Sequence, residues 1–194
     1  PYGLAKGQAE QHLQMLSEIH GLNYVTVVPH NVIGVGQRYY DPFRNVVAIM
    51  INRAAQNKNL IIYGDGEQKR SFSDVRDCIV AIERIMQSAR DDLCSQVFNI
   101  GPDDNEMSIK QLATLVLHHS EIYRQFDYYP DRPREVKDAY CSSDKIRKEF
   151  NYNPTTEAKK TIIDMINWIK PMKREFEYHL PIELITEKTP KTWT

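Results

Sequence analysis

The chain is poor in the residues that staple, anchor or export a protein. Its three cysteines, Cys78, Cys94 and Cys141, are odd in number, far apart and never in a Cys-x-x-Cys pair. This excludes a disulfide framework and a thiolate metal site, and it suits free thiols in a reducing cytosol, so a cytoplasmic location is expected. No apolar run reaches the ~18 residues that a membrane span needs, and no signal-peptide pattern is visible, so no membrane partner is expected. The formal net charge of −1 gives no bulk field for nucleic acid or anionic lipid. Any anion site must therefore be local. The one Asn-x-Thr triplet, at Asn153, is void as a glycosylation signal because Pro154 follows it. The adjacent His118 and His119 cannot share a metal as an i, i+4 pair can, and no metal is expected.

What is present is an ordinary globular composition, 41% hydrophobic and 26% charged over 194 residues, enough for one real core with room for a smaller appended lobe. Leu4, Ala5, Ala9, Leu13, Leu16 and Ile19 recur at helical spacing until Gly21. Tyr24 to Val28 reads as a strand, residues 30–44 as an irregular loop, Val46 to Ala55 as a helix and Leu60 to Tyr63 as a strand closed by Gly64-Asp65-Gly66. Arg70 to Ser73 predicts a further short strand. Asp74 then caps a helix to about Ser88 whose inner face is expected to be Val75, Ile79, Ile82 and Ile85 or Met86. Val97 to Ile100 reads as a strand, and Ser108 caps a helix to about His118. Ser142 or Ser143 caps another helix ending near Phe150, and Thr155 or Thr156 starts a last one that Pro171 ends. This alternation predicts an α/β architecture. The tail from 171 to 194 has no readable pattern.

One short motif carries chemistry. Tyr2 and Lys6 stand four residues apart at the head of the first helix, so both side chains can reach one site. A tyrosine with a pKa of about 10 is a poor base at neutral pH, and a neighbouring ammonium stabilises its phenolate. Such a pair can exchange a proton with an alcohol. The plain alternative is a tyrosine and a lysine on a helix surface.

An ordered series of further motifs decides between the two. Val28-Pro29-His30-Asn31-Val32-Ile33-Gly34 follows the first helix and strand, then come Arg44-Asn45-Val46-Val47, Ile61-Ile62-Tyr63-Gly64-Asp65-Gly66, Gln68-x-Arg70 and Asp74-Val75-x-Asp77. Phe98-Asn99-Ile100-Gly101, Arg132-Pro133-Arg134-Glu135, Ser143-x-Lys145 and Tyr152-x-Pro154 continue it, with a weaker echo from Leu180 to Trp193. In order and spacing this series resembles the nucleotide-sugar epimerases of the extended short-chain dehydrogenase/reductase family. The resemblance implies the C-terminal part of a Rossmann-type parallel sheet in residues 1–44. It implies a mixed α/β substrate domain, with return segments to the first, in 45–170, and a tail in 171–194. The family's glycine-rich dinucleotide turn has no counterpart here, since Gly34-x-Gly36 lacks the third glycine and the strand-to-helix context. The family's catalytic Ser or Thr is missing too. The chain is expected to be a C-terminal portion, inactive without an N-terminal half.

The same resemblance assigns roles. It implies NAD as cofactor, with Tyr2 and Lys6 as the catalytic pair and, with Pro29 and Val32, the cofactor contacts. Asn31 would face a substrate diphosphate, Arg70 and Arg132 would grip it, Tyr63 would stack on the base, Glu135 would accept from ribose hydroxyls, and Asn45 and Val46 would contact the nucleotide. The bland readings are a turn-forming Asn31, a half-buried strand tyrosine and surface ion pairs. The implied activity is 4-epimerisation of a UDP-hexose by transient oxidation at C4, in a homodimer. Dehydratase or decarboxylase chemistry in the same family, or a non-catalytic sugar-nucleotide-binding remnant, are the alternatives.

Overall fold

A computed structural model of the chain describes residues 2–88, 90–103, 106–133, 135–172, 174–177, 187 and 189, with Tyr2 and Asp91 described by their backbone alone. Arg134 lies outside the described residues, as does the echo from Leu180 to Trp193 apart from Glu187 and Thr189.

Helix α1 (Tyr2–His20) leads into β1 (Val25–Pro29) and β2 (Val32–Ile33), followed by α2 (Val46–Ala55), β3 (Leu60–Tyr63), β4 (Lys69–Ser71), β5 (Ser73–Asp74) and α3 (Val75–Gln87). Then come β6 (Gln96–Ile100), β7 (Glu106–Ser108), α4 (Ile109–Ser120), β8 (Phe126–Tyr129), β9 (Asp138–Ala139), α5 (Asp144–Phe150) and α6 (Ala158–Ile169). Three parallel pairs form, β1 with β6, β2 with β5 and β3 with β8. In a fourth sheet β4 pairs antiparallel to β7 and parallel to β9. The architecture is α/β, as the alternation predicts.

Two apolar cores divide these elements. In one, Phe98 and Ile100 of β6 meet Cys78, Ala81 and Ile85 of α3, Ile146 of α5 and Tyr152. In the other, Leu60 and Ile62 of β3 are covered by Val47, Met50 and Ile51 of α2, Leu112 and Val116 of α4, and Ile162, Met165 and Ile166 of α6. Each such aliphatic side chain, nearly sealed from water, contributes roughly 1.5–3 kcal/mol. Asp74 joins the two. Its carboxylate caps α3 by accepting from Arg76 N at 2.7 Å and accepts from Thr161 Oγ1 of α6 at 2.6 Å.

The expected caps of α3 and α4 are present, and α2 has one that was not expected from the sequence. Asn45 Oδ1 accepts from Val47 N at 2.9 Å, and Ser108 and Gln111 form a reciprocal capping box. Ahead of α5, the Ser142 hydroxyl accepts from Asp144 N at 3.1 Å. The last helix begins later than expected, at Ala158, and ahead of it the backbone N–H groups of Thr155 and Thr156 donate to Asp77. The Arg70 to Ser73 stretch splits into β4 and β5, which pair with different strands.

The expected inner face of α3 is right in part. Ile85 is buried and Ile82 packs against the core, but Ile79 is 57% and Met86 78% exposed, and Cys78 and Ala81 face inward instead. The helix carries two apolar stripes, and the smaller side chains of the second fit against β6 and α5. Helix α1 is barely covered. Of its described side chains only Leu13 and Ser17 are half-buried, and Leu4, Met15, Leu16 and Ile19 are exposed.

Candidate nucleotide-binding site

A cavity of about 360 Å³ opens between α2, the ends of β3 and β4, and the loop after β8. One face of α2, from Val46 through Ile49 and Met50 to Arg53, forms a wall at helical spacing. Ile61 and Tyr63 of β3, Gln68, Arg70 of β4 and Phe72 form another. Asn31, the segment Pro42 to Asn45, Ile109, Arg132, Glu135 and Phe176 complete it. All seven side chains that the sequence assigns to substrate, Asn31, Asn45, Val46, Tyr63, Arg70, Arg132 and Glu135, line this one space.

Their mutual geometry is specific. Arg70 Nη2 donates to Glu135 Oε1 at 3.1 Å, while its Nη1 donates to the carbonyls of Lys69 and Lys137 at 2.7 and 3.1 Å. The guanidinium is thus fixed in place by three acceptors, with its side chain only 15% exposed. Arg132 sits over the Tyr63 ring, 4.0 Å from its centroid, and the Tyr129 ring lies 5.9 Å from the same ring. Gly64 lets Asp131, in the loop after β8, lie close against the turn that follows Tyr63. The glycine has φ +64°, its N–H donates to Tyr129 O at 2.9 Å, and a Cβ there would fall 2.0 Å from Asp131 Oδ1.

Asn31 is held in the left-handed region at φ +26°. Its Nδ2 donates to Ser71 O at 2.8 Å and its own carbonyl accepts from Ser73 N at 3.3 Å, so β4 and β5 fix its side chain at the cavity wall. The Asn45 oxygen is spent on capping α2, which leaves its NH₂ as the group it can offer. Gln68 Nε2 donates to Tyr63 O at 3.0 Å and ties the end of β3 to β4.

The cofactor set is not brought together in the same way. Lys6 is exposed on α1 and does not line the cavity, and the Tyr2 side chain lies outside the described residues. Pro29 ends β1 and Val32 starts β2, on either side of Asn31. They stand at the carboxyl end of the parallel pair β1–β6, where open α/β sheets bind ligands. Val32 O already accepts from Gln37 Nε2 at 3.3 Å. Beside them His30 Nε2 is buried without a hydrogen-bond partner, and burial lowers the His30 pKa, so the ring is neutral at pH 7.

Several lining residues carried no readable signal in the sequence. Arg53 reaches the cavity from α2, Phe43 from the loop before it and Phe72 from the link between β4 and β5, while Phe176 comes from the tail that showed no pattern. Among the described residues no group of three or more His, Cys, Asp or Glu side chains could hold a metal ion, and no helix is long and apolar enough to cross a membrane.

Parallel strands, a nucleotide-sized cavity lined by arginines and aromatics, and a Tyr-x-x-x-Lys helix define an α/β protein of the Rossmann class. Residues 1–101 match the family model described as the NAD dependent epimerase/dehydratase family, and the chain belongs to that family. A Methanocaldococcus jannaschii protein carrying the provisional name UDP-glucose 4-epimerase is 29% identical over 176 residues, 90% of this chain and 54% of its own length. The UDP-glucose 4-epimerase of Thermotoga maritima, solved with UDP-glucose, superposes with a TM-score of 0.79 at 26% identity, over 89% of this chain and 54% of that one. The UDP-glucuronic acid 4-epimerase of Bacillus cereus, solved with UDP-glucuronic acid and NAD, shares the fold with a TM-score of 0.77 at 22% identity, over 89% and 53% of the two chains. The chain thus spans about half the length of the relatives it matches.

NAD is the cofactor of the family. The described residues fit one end of it. Pro29, Val32 and the neutral His30 at the carboxyl end of β1 place no competing positive charge there, which suits the flat nicotinamide ring, cationic in its oxidised form. Among the described residues no glycine-rich turn opens a helix, and Gly34 and Gly36 lead into a turn, so nothing described offers a pyrophosphate cradle.

Proposed function

We propose that the cavity holds the nucleoside diphosphate of a UDP-hexose, and that the chain is the substrate-binding portion of an NAD-dependent 4-epimerase. The observation that carries this reading is the convergence of Arg70, Arg132, Tyr63 and Glu135 in one space. Two guanidinium groups answer a diphosphate, an aromatic ring answers a base, and a carboxylate answers ribose hydroxyls. The UDP-sugars bound by the solved relatives support the same choice.

In this reading Asn31 offers its second amide hydrogen towards the diphosphate and Asn45 offers its NH₂. The sugar then extends past Asn31 towards Pro29 and Val32. Tyr2, as phenolate, takes the proton of the sugar 4-hydroxyl, and returns it when the 4-keto sugar has turned over and is reduced on its other face. Lys6 holds the phenolate charge. Bound NAD supplies the hydride acceptor and donor. We place the protein in a reducing, cytoplasmic compartment, in keeping with three free thiols, and assign the open face of α1 to a homodimer contact.

The test is calorimetric titration of the chain with UDP and UDP-glucose. Binding of both is expected, and no binding of either rejects the reading. Turnover is tested separately, by Tyr2→Phe in the protein extended to the length of its relatives. That variant should lose most activity while keeping UDP-glucose affinity. The chain by itself is expected neither to hold NAD tightly nor to interconvert UDP-glucose and UDP-galactose.

A further inference from the structure

After α6 the chain returns across α2, and the return is clamped at both ends. Asn52, fully buried on α2, donates from Nδ2 to Arg174 O at 2.9 Å and accepts from Arg174 N at 3.5 Å. Gln56, one turn further on, donates to the same carbonyl at 2.7 Å. Three residues later Glu177 N donates to Tyr40 O at 2.9 Å, while the Arg174 guanidinium lies over the Tyr40 ring at 4.0 Å. Ion pairs from Lys58 to Glu175 at 2.8 Å and from Arg38 to Glu177 at 3.5 Å hold the flanks. A buried carboxamide is costly unless both of its ends are satisfied, and both ends of Asn52 are spent on this one segment.

Between the clamps Phe176 joins Ile49, Met50 and Ile61 in the cavity lining. This is the apolar kind of surface that takes the face of a base rather than a phosphate. Tyr63, the ring assigned to the base, lines the same cavity, so a base there can meet a second ring. We infer that residues 174–177 form a strap that completes the cavity, with Phe176 as a contact for the nucleobase. The inference rests on the proposal that the cavity binds a nucleoside diphosphate.

Calorimetry with UDP and with inorganic pyrophosphate, on the chain and on Phe176→Ala, separates the two claims. The variant should bind UDP at least tenfold more weakly while its pyrophosphate affinity stays within twofold. Unchanged UDP affinity overturns the strap, and so does an equal loss for both ligands, which would be general damage to the cavity. Phe176→Leu guards against a variant that fails to fold. It keeps an apolar side chain but no ring, and should lose UDP affinity at least threefold with none lost for pyrophosphate. An original chain that binds pyrophosphate and not UDP would reject the nucleotide reading itself and the strap with it. Hydrogen exchange gives an independent readout, because UDP should slow exchange at the Glu177 amide, and an unaltered rate there counts against the strap.

Discussion

The guanidinium of Arg132 lies 4.0 Å from the centroid of the Tyr63 ring, on the wall of the cavity assigned to the nucleotide. A cation over an aromatic face is worth about 0.5–1 kcal/mol where water can reach it. A charged hydrogen bond to a phosphate is worth about 1.5–3 kcal/mol, so a diphosphate can draw Arg132 off the ring. Arg132→Ala should weaken UDP binding by roughly tenfold to a hundredfold, at about 1.4 kcal/mol per factor of ten. Arg132→Lys should recover only part of that, because an ammonium lacks the planar fork. Calorimetric affinities check both, and equal affinity in the original and Arg132→Ala proteins would remove Arg132 from the site.

Arg70 poses the opposite case, since it is already bound to Glu135 at 3.1 Å with both side chains largely covered. The carboxylate competes with an incoming phosphate for the same cation. Glu135→Gln should therefore tighten inorganic pyrophosphate binding severalfold, whereas Arg70→Ala should weaken it by roughly tenfold or more. A competition titration gives the sign directly, and weaker pyrophosphate binding in Glu135→Gln would contradict the pairing argument.

The joint between the two cores has a pH signature. Burial alone would raise the Asp74 pKa, but hydrogen bonds from Arg76 and Thr161 outweigh it and hold the carboxyl below its ordinary value of 3.8. The folded group is more acidic than the unfolded one, so its stabilising contribution is complete above about pH 4 and is lost as pH falls through the folded value. Asp74→Asn should cost about 1–3 kcal/mol at pH 7 and flatten the acid limb of the stability curve. Denaturant unfolding at pH 7 and below pH 4 measures both. An unchanged acid limb would mean that Asp74 does not couple the cores.

Much of this arrangement was legible in the residues. Helix ends were readable where a side chain caps its own helix, as at Asp74 and Ser108. Strand β3 was readable because it is a short apolar run between turn residues. Its partner β8 was not. Phe126-Asp127-Tyr128-Tyr129 is half polar, and it becomes a strand by pairing with Leu60 to Tyr63, far away in sequence. The face of α3 was legible at Ile82 and Ile85 but not at Cys78 and Ala81, because periodicity gives a stripe but not the neighbour that selects between stripes. Asn31, Tyr63, Arg70, Arg132 and Glu135, which line one cavity, were singled out through an ordered series of motifs. Phe176 was hidden because its place depends on the clamps of Asn52 and Tyr40, which no local pattern announces.

Helix α1 supplies a prediction on association. Leu4 and Ile19 are 70% and 65% exposed on a helix with almost no intramolecular cover. Such a face favours self-association. Replacing both with glutamate should lower the apparent mass in light scattering and change folding stability by about 0.5 kcal/mol or less, as is usual for surface positions. A clean monomer for the original chain across a wide concentration range would count against the contact.

The central claim, that Arg70, Arg132, Tyr63 and Glu135 form a nucleoside-diphosphate site, is tested most directly by a crystal structure of the chain with UDP. The account predicts the diphosphate at about 3 Å from the guanidinium groups of Arg70 and Arg132, with Arg132 lifted from the Tyr63 ring and a ribose hydroxyl on Glu135. UDP bound elsewhere, with the Arg132–Tyr63 stack and the Arg70–Glu135 pair undisturbed, would contradict it.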